Sequence, residues 1–195
     1  MSVENFIISN LEDQIKTINE LKKSKEVIEK IYLEIKNARD NNNKIFIMGN
    51  GGSASTSSHF VSDLLKTSLT KEANRIKAIS LTDNIPVVMA WANDTSFENI
   101  FYSQLENFLV KGDLVIGISG SGNSKNVIKA IEFANSKEAK TVCLLGKDGG
   151  KLAKISQSNL IIPNNDMLTI ETMHLLICHL LTSLLRSEGT PLFSY

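Results

Sequence analysis

The sequence predicts an α/β fold: a three-layer sandwich with a five-stranded parallel sheet and long N-terminal helices. Short apolar runs recur five times, each long enough for a strand that is buried on both faces. Helix-like stretches alternate with these runs, as in parallel strands joined by crossover helices. The chain has 195 residues, of which 42% are hydrophobic, which is enough for one domain with its own core. We therefore expect a single domain over residues 1–195, in which a helical segment (1–42) packs on an α/β core (43–195).

The N-terminal segment is predicted to be helical over residues 3–41. Its apolar residues recur at spacings of three or four, which is typical of a helix face that packs against apolar surface. They are Leu11, Ile15, Ile18 and Leu21, followed by Ile28, Ile31 and Ile35. This stripe predicts a packing surface, either within the chain or across a subunit interface. The polar run RDNNNK at 39–44 then ends the helix.

Five apolar runs follow, and each is predicted to form a strand of the sheet. They span residues 44–48, 76–81, 114–118, 141–145 and 159–162. The main helix-like stretches between and after them span residues 54–66, 97–109, 124–136 and 168–187. Ligands of such sheets bind beyond the carboxyl ends of the strands. The loops that directly follow the strands are therefore the candidate binding segments.

Two of these loops, residues 49–55 (GNGGSAS) and 119–124 (SGSGNS), predict phosphate binding. Glycines let a ligand approach bare backbone, and helix starts rich in serine offer hydroxyls and free N–H groups that favour an anion. Such groups can wrap one phosphate without a lysine. This suits a chain with 21 basic and 21 acidic residues, because local dipoles must then hold any anion. Either loop alone could be a simple turn, but two loops that each follow a buried strand favour a ligand.

Nucleotides and nucleic acids fit the sequence less well. Residues 49–54 match the dinucleotide pattern G-x-G-x-x-G/A. In that pattern an acidic residue about 20 residues on, at the end of the next strand, binds the ribose. Here this region offers only Asp83, which lies further along the chain than the pattern requires. That interpretation also leaves the 119–124 loop without a use. Residues 146–152 (GKDGGKL) lack the spacing and the metal-binding hydroxyl of a P-loop. Because nucleic-acid binders normally carry a basic excess, we expect no nucleic-acid partner.

The sequence also favours a cytoplasmic location. Cys143 and Cys178 lie in apolar runs without the spacing of a disulfide framework or a zinc ribbon, which predicts two buried thiols in a reducing cytosol. The first ten residues do not have the pattern of a signal peptide. No apolar run approaches the roughly 20 residues needed to span a bilayer, so we expect no membrane association.

The three histidines are the candidate metal-binding or acid–base residues. His59 and Asp63 are four residues apart on the predicted 54–66 helix, so they form either a two-ligand arm for a metal or a base with its orienting group. Glu171, His174 and His179 lie on the last helix. Glu171 and His179 are separated by about 12 Å along an ideal helix, so both reach one ion only by leaning together. His174 is a competing choice, and spacing alone does not establish a four-ligand site.

Several motifs together resemble the sugar isomerase (SIS) domain family and, within it, the phosphoheptose isomerase group. They are GNGGSAS at 49–55 with HF at 59–60, AND at 92–94, GISGSGNS at 117–124, GKDGGK at 146–151 and MHLLICH at 173–179. The resemblance covers essentially the whole chain and implies the SIS fold, a flavodoxin-like sandwich. It implies an aldose–ketose isomerase that converts sedoheptulose 7-phosphate to D-glycero-D-manno-heptose 7-phosphate through an enediol, for surface polysaccharide synthesis. It also implies a homotetramer with active sites at subunit interfaces.

The resemblance further implies roles for individual residues. Those that bind the substrate or its phosphate are Asn50, Gly51, Gly52, Ser53, Asp94, Ser119, Gly120, Ser121, Ser124 and Glu171. Those that bind one Zn²⁺ ion are His59, Asp63, Glu171 and His179. Asp63 and His179 carry the proton transfers. A carboxylate bound to zinc is a poorer base, so the ligand and base roles of Asp63 remain alternatives.

The chain departs from the pattern of this group at several positions near the predicted site. Asp63 replaces the usual glutamate, Glu171 a glutamine and Gly120 a threonine, and arginines are missing from residues 65–67 (LKT) and 168–172 (LTIET). A non-catalytic SIS protein, which senses sugar phosphates or binds a protein partner, is the alternative function. Such a protein would be expected to lose the acid–base residues, and their retention here favours the enzyme.

Overall fold

The computed structural model describes residues 2–194 and contains a five-stranded parallel sheet with the strand order β2-β1-β3-β4-β5. The strands are β1 (Lys44–Gly49), β2 (Lys77–Ser80), β3 (Leu114–Ser119), β4 (Lys140–Gly146) and β5 (Ser158–Ile162). Each of the five predicted strands is present, with its ends within one residue of the prediction. The α/β fold class is confirmed.

Helices cover both faces of the sheet. They are α1 (Val3–Leu21), α2 (Lys25–Asp40), α3 (Gly52–Ser62), α4 (Ile85–Asp94), α5 (Tyr102–Phe108), α6 (Lys125–Ser136), α7 (Leu152–Ile155) and α8 (Met167–Arg186). The predicted helix over 3–41 is divided by a 3-10 turn at Lys22–Ser24, and the predicted 97–109 helix begins with a 3-10 turn at Phe97–Asn99. Helices α4 and α7 were not predicted.

The apolar core forms two clusters, one on each face of the sheet, which confirms the three-layer arrangement. In β1, Ile45 and Ile47 join the cluster beneath α2, α3 and α8, whereas Phe46 and Met48 join the cluster beneath α5, α6 and α7. Side chains of a strand alternate between its faces, so a strand that is covered on both sides is apolar at every position. This is why the strands were recognisable as apolar runs.

The predicted N-terminal stripe divides into a buried and an exposed part. Ile28, Ile31 and Ile35 of α2 are buried in the core. Leu11 and Ile15 of α1, in contrast, remain 54% and 58% exposed. The stripe therefore packs within the chain only along α2 and the end of α1.

The expectation that no apolar segment approaches the length of a membrane span was wrong for helix α8. Its 20 residues are long and apolar enough to cross a membrane by length and composition alone. Half of the apolar window is buried inside the fold, however, with Ile170, Ile177 and Leu185 in the core. This burial is typical of a helix that covers a sheet, and it accounts for the apolar composition.

Candidate active site

The two glycine-rich loops lie side by side because their strands are neighbours in the sheet. β1 pairs with β2 on one side and with β3 on the other. From β1 the chain first adds β2 on one side and later returns to add β3 on the other side. Open α/β sheets bind ligands at such a switch point, here between β1 and β3. The loops that follow these strands both open helices, α3 and α6. The structure thus brings both predicted phosphate loops to one crevice.

The first loop presents the N-terminus of α3 to this crevice. Gly51 precedes the helix with a positive φ of 56°, and the N–H of Ser53 donates to the carbonyl oxygen of Asn50 at 3.0 Å. Among the described residues, no side chain caps the first turn of α3. The N–H groups of Ala54 and Ser55 donate to the carbonyl oxygen of Gly51 at 3.0 and 3.2 Å, so in this turn the N–H of Gly52 is the one left for an anion.

The second loop turns tightly around its hydroxyl groups. The N–H of Gly122 donates to the carbonyl oxygen of Ser119 at 3.1 Å, and the hydroxyl oxygens of Ser119 and Ser124 lie 3.0 Å apart. The hydroxyl of Ser121 accepts from the N–H of Asn123 at 3.2 Å. Gly122 has a φ of 64°, and a side chain there would overlap the carbonyl oxygen of Gly149. The loop therefore requires glycine at this position.

His59, Asp63 and His179 form the second part of the site. The Nε2 atoms of the two histidines lie 3.1 Å apart, and each is 3.7 Å from Oδ2 of Asp63. The histidine side chains are about half exposed, whereas that of Asp63 is only 13% exposed. All three ligand atoms lie within 4.8 Å of one another. Two atoms bound tetrahedrally to one zinc ion lie about 3.3 Å apart, so this triad could hold a divalent metal ion.

Asp63 occupies an unusual backbone position at the end of α3. The helix continues there as one π-helical turn, Asp63–Thr67, and the N–H of Ser68 donates to the carbonyl oxygen of Asp63 at 2.9 Å. Single π turns inside helices are often found at functional sites. The sequence predicted one regular helix over 54–66 and contained no recognisable signal for this turn.

Glu171 lies apart from the triad, beside the first glycine loop. Its carboxylate contacts Gly52 so closely that a Cβ atom on Gly52 would overlap it. Glu171 is therefore near the N-terminus of α3, while His179 lies further along α8 with the triad. The structure brings Glu171 to the phosphate loop and leaves it outside the cluster of three metal-ligating atoms.

Two further candidates lie outside this cluster. Asp94 is exposed at the end of α4, and within residues 2–194 its carboxylate accepts a hydrogen bond only from the neighbouring Asn93, at 2.8 Å. His174 is fully buried, with Nε2 at 3.0 Å from the carbonyl oxygen of Leu145. Burial lowers the pKa of His174 to about 4, so the ring is neutral near pH 7. His174 is a core residue that supports β4.

Sequence reasoning missed two hydrogen-bonded groups around the loops. Asn126, near the start of α6, pairs with Asn50 across the crevice. At the end of β2, the carboxylate of Asp83 accepts from the hydroxyls of Ser58, Ser80 and Thr82. Asp83 therefore serves the local structure, which weakens its case as a ribose partner. The only sequence signal was the polar composition of both segments, which does not specify partners.

The chain is similar to known proteins over most of its length. A sequence model of the SIS domain matches residues 10–146. A phosphoheptose isomerase of Helicobacter pylori is 48% identical over 143 residues, which is 73% of either chain. A probable phosphoheptose isomerase of Thermoplasma volcanium is 36% identical over 184 residues, or 93% of either chain. The structure of a phosphoheptose isomerase from Neisseria gonorrhoeae superimposes with a TM-score of 0.88 at 28% identity, covering 95% of this chain and 100% of that one.

Proposed function

The chain belongs to the SIS domain family and to its phosphoheptose isomerases, and on this premise we propose that it converts sedoheptulose 7-phosphate to D-glycero-D-manno-heptose 7-phosphate. One observation carries the proposal: α3 begins at the phosphate loop and carries His59 near its other end. Ser53 and His59 are about 9 Å apart along an ideal helix, comparable to an extended heptose chain. Phosphate at one end then places the reacting carbons at the other.

The reaction requires one proton to leave C1 of the ketose and one to arrive at C2. A base removes the C1 proton to give an enediolate, an acid delivers a proton to C2, and a hydroxyl proton moves from O1 to O2. Asp63 and His179 are the proposed acid–base pair. Their reacting atoms are 3.7 Å apart, so both can face the same two adjacent carbons. No atom is gained or lost, as an isomerisation requires.

The proposed cofactor is Zn²⁺, for which His59, Asp63 and His179 would supply the ligand atoms. An atom bound to the ion does not transfer a proton, so for Asp63 Oδ2 and His179 Nε2 the ligand role and the acid–base role are alternatives. When bound, such an ion polarises a substrate carbonyl as a Lewis acid. The donor set fits the ion because zinc accepts imidazole nitrogen and carboxylate oxygen. Glu171 would complete four ligands only after its side chain moves away from Gly52. In its observed place it adds a negative charge beside the phosphate loop, and its proposed role is to contact the substrate.

A homotetramer with sites at subunit interfaces, in the cytoplasm, completes the proposal. The exposed apolar face of α1 supports self-association, since single-chain surfaces rarely expose such patches. The two free, buried cysteines are consistent with a reducing compartment. The alternative of a non-catalytic regulator is not favoured, because the relatives of 36–48% identity carry the names of isomerases and the acid–base residues are retained.

The test is an NMR assay of sedoheptulose 7-phosphate in deuterated water, with added zinc and again after chelation. We expect aldose with deuterium at C2, and loss of turnover on chelation. Asp63→Asn and His179→Gln should each reduce kcat by about 100-fold or more, since positioned acid–base groups contribute that much. Glu138→Gln, at an exposed ion pair with Lys111, is the control and should match the wild type.

Each remaining outcome contradicts one part of the proposal. Turnover that survives thorough chelation would remove the metal from the mechanism. Wild-type rates in either variant would remove that residue from the acid–base pair. Absence of turnover in a protein that binds the sugar phosphate would contradict the substrate and favour the regulator.

A further inference from the structure

Asn126 lies where the two glycine loops approach each other. It is near the start of α6 and only 2% exposed. Its carboxamide forms two reciprocal hydrogen bonds with that of Asn50: Asn50 Nδ2 donates to Asn126 Oδ1 at 2.9 Å, and Asn126 Nδ2 donates to Asn50 Oδ1 at 2.8 Å. Asn50 directly follows β1, and Asn126 follows the loop after β3. The pair therefore bridges the crevice between the two loops.

Two opposed hydrogen bonds between planar amides fix both distance and orientation. A single hydrogen bond would let one loop rotate about the other, whereas this arrangement does not. Asn126 Oδ1 also accepts from the N–H of Val127 at 2.9 Å, which ties the carboxamide to α6. Beyond the strand ladder, no other hydrogen bond joins residues 49–55 to residues 117–126 in the part of the chain that the structure describes.

The far side of the second loop is braced by the loop that follows β4. The N–H of Lys151 donates to Oδ1 of Asn123 at 3.0 Å, and the N–H of Leu152 donates to the carbonyl oxygen of Gly122 at 3.0 Å. Asn123 in turn donates to the carbonyl oxygen of Ser121 at 3.0 Å. The second loop is therefore fixed on one side by hydrogen bonds from residues 151 and 152 and on the other by Asn126.

We propose that Asn126 is a positioning residue that sets the separation of the two glycine-rich loops, residues 49–55 and 119–124. The inference rests on the proposed function, in which both loops hold one phosphate. It also assigns the carboxamide of Asn50 to this pair, so that the first loop contacts the phosphate mainly through its backbone and Ser53. Asn126 acts through Asn50 and does not itself contact the substrate.

The test compares Asn126→Leu, which keeps the size but loses both hydrogen bonds with Asn50 and the one from Val127, with Asn135→Leu as a matched control. Asn135 lies at the opposite end of α6, and its carboxamide donates to the carbonyl oxygen of Ile155 at 2.8 Å. We expect Asn126→Leu to raise the Kd for inorganic phosphate and the KM for the sugar phosphate about tenfold, with kcat within about twofold. Asn135→Leu should lower the Tm without changing either constant.

A second pair of variants tests whether the effect passes through Asn50. We expect Asn50→Leu to weaken phosphate binding like Asn126→Leu, and the double variant to be no weaker than either single variant, because all three lose the same contact. Fully additive losses would overturn the proposal. Asn126→Ser serves the same measurements if Asn126→Leu does not fold, since its side chain is polar but too short to form the two hydrogen bonds with Asn50.

Failure of this inference is distinguishable from failure of the proposed function. Unchanged Kd and KM in an Asn126 variant of an active isomerase would overturn only the positioning role, as would an equal loss in the Asn135 control. Weakened phosphate binding in that variant, in a protein that does not turn over sedoheptulose 7-phosphate, would support the positioning role and reject the substrate.

Discussion

His174 lies in the core part of α8, where its Nε2 is 3.0 Å from the carbonyl oxygen of Leu145. Within residues 2–194, Nδ1 has no hydrogen-bond partner. Protonation would therefore place a charge in the core without an acceptor for the new N–H. Burial accordingly lowers the pKa of His174 from 6.5 to about 4, an effect only partly opposed by the Leu145 carbonyl.

This pKa shift makes stability depend on pH in a defined direction. Between pH 6.5 and 4 the unfolded chain binds a proton at His174 and the folded chain does not, so the free energy of unfolding falls as the pH falls. The contribution is complete above pH 6.5, and its loss amounts to at most about 3 kcal/mol. Urea unfolding of the wild type and His174→Asn at several pH values measures it. We expect a shallower pH dependence in the variant, and parallel curves would contradict the assignment.

The sequence could predict local pairs of site residues but not their distant partners. His59 and Asp63 are four residues apart, so one helical turn brings them together wherever the helix packs. The choice among Glu171, His174 and His179 depends on how α8 is rotated against α3, and spacing contains no information about that rotation. The structure directs His174 into the core, Glu171 to Gly52 and His179 to the triad.

At the scale of elements, hydrogen bonds and ion pairs in a partly buried cluster join the end of α8 to α2. The carboxylate of Glu188, just beyond α8, accepts from Tyr32 at 2.7 Å, Lys36 at 2.6 Å and Arg39 at 2.8 Å. Burial alone would raise the pKa of Glu188, but the hydrogen bonds from Arg39, Lys36 and Tyr32 outweigh it and lower the pKa to about 2. The cluster therefore stabilises the ionised carboxylate strongly.

We expect Glu188→Gln to reduce the free energy of unfolding by about 2 kcal/mol near pH 7, because the buried Arg39 then loses one of its two carboxylate partners and keeps only Asp40 among the described residues. The same contribution is complete above pH 4.5 in the wild type and is lost as the pH falls towards 2. Denaturant unfolding provides the measurement. Glu138→Gln removes an ion pair of similar length that is 69% exposed at Glu138, and it should cost little. Equal losses in the two variants would contradict the role of the cluster.

The sequence predicted strands better than helices, for a physical reason. A parallel strand covered on both faces is apolar throughout and therefore stands out. Helix α4 was missed because its run IPVVMAWAND is apolar at most positions and so has no polar face that would reveal a helical period. The structure buries none of its residues. Its start was nevertheless recognisable, because Asn84 accepts from the N–H of Val87 as an N-cap and Pro86 lies in the first turn.

At the scale of the whole molecule, α1 leaves a continuous apolar surface exposed. Val3, Ile7, Leu11 and Ile15 follow one another at spacings of four, and each is at least half exposed. This surface continues into an apolar groove formed where α1 and α2 meet α8, lined by residues that include Ile18, Leu21, Ile28, Leu176 and Leu180. The sequence alone left open whether the stripe packs within the chain or between subunits, because both produce the same periodicity.

We expect Leu11→Asp to shift the protein to smaller assemblies, because burying a carboxylate against an apolar face is unfavourable. The loss of assembly should also reduce activity if the site lies between subunits. Size-exclusion chromatography with light scattering, combined with the NMR assay at the same protein concentrations, measures both effects. Ser9→Asp adds the same charge to an exposed position two residues earlier, on the polar side of α1, and should leave mass and activity unchanged. An unchanged mass for Leu11→Asp would mean that this face of α1 is not an interface, and full activity in a monomer would show that one chain contains the whole site.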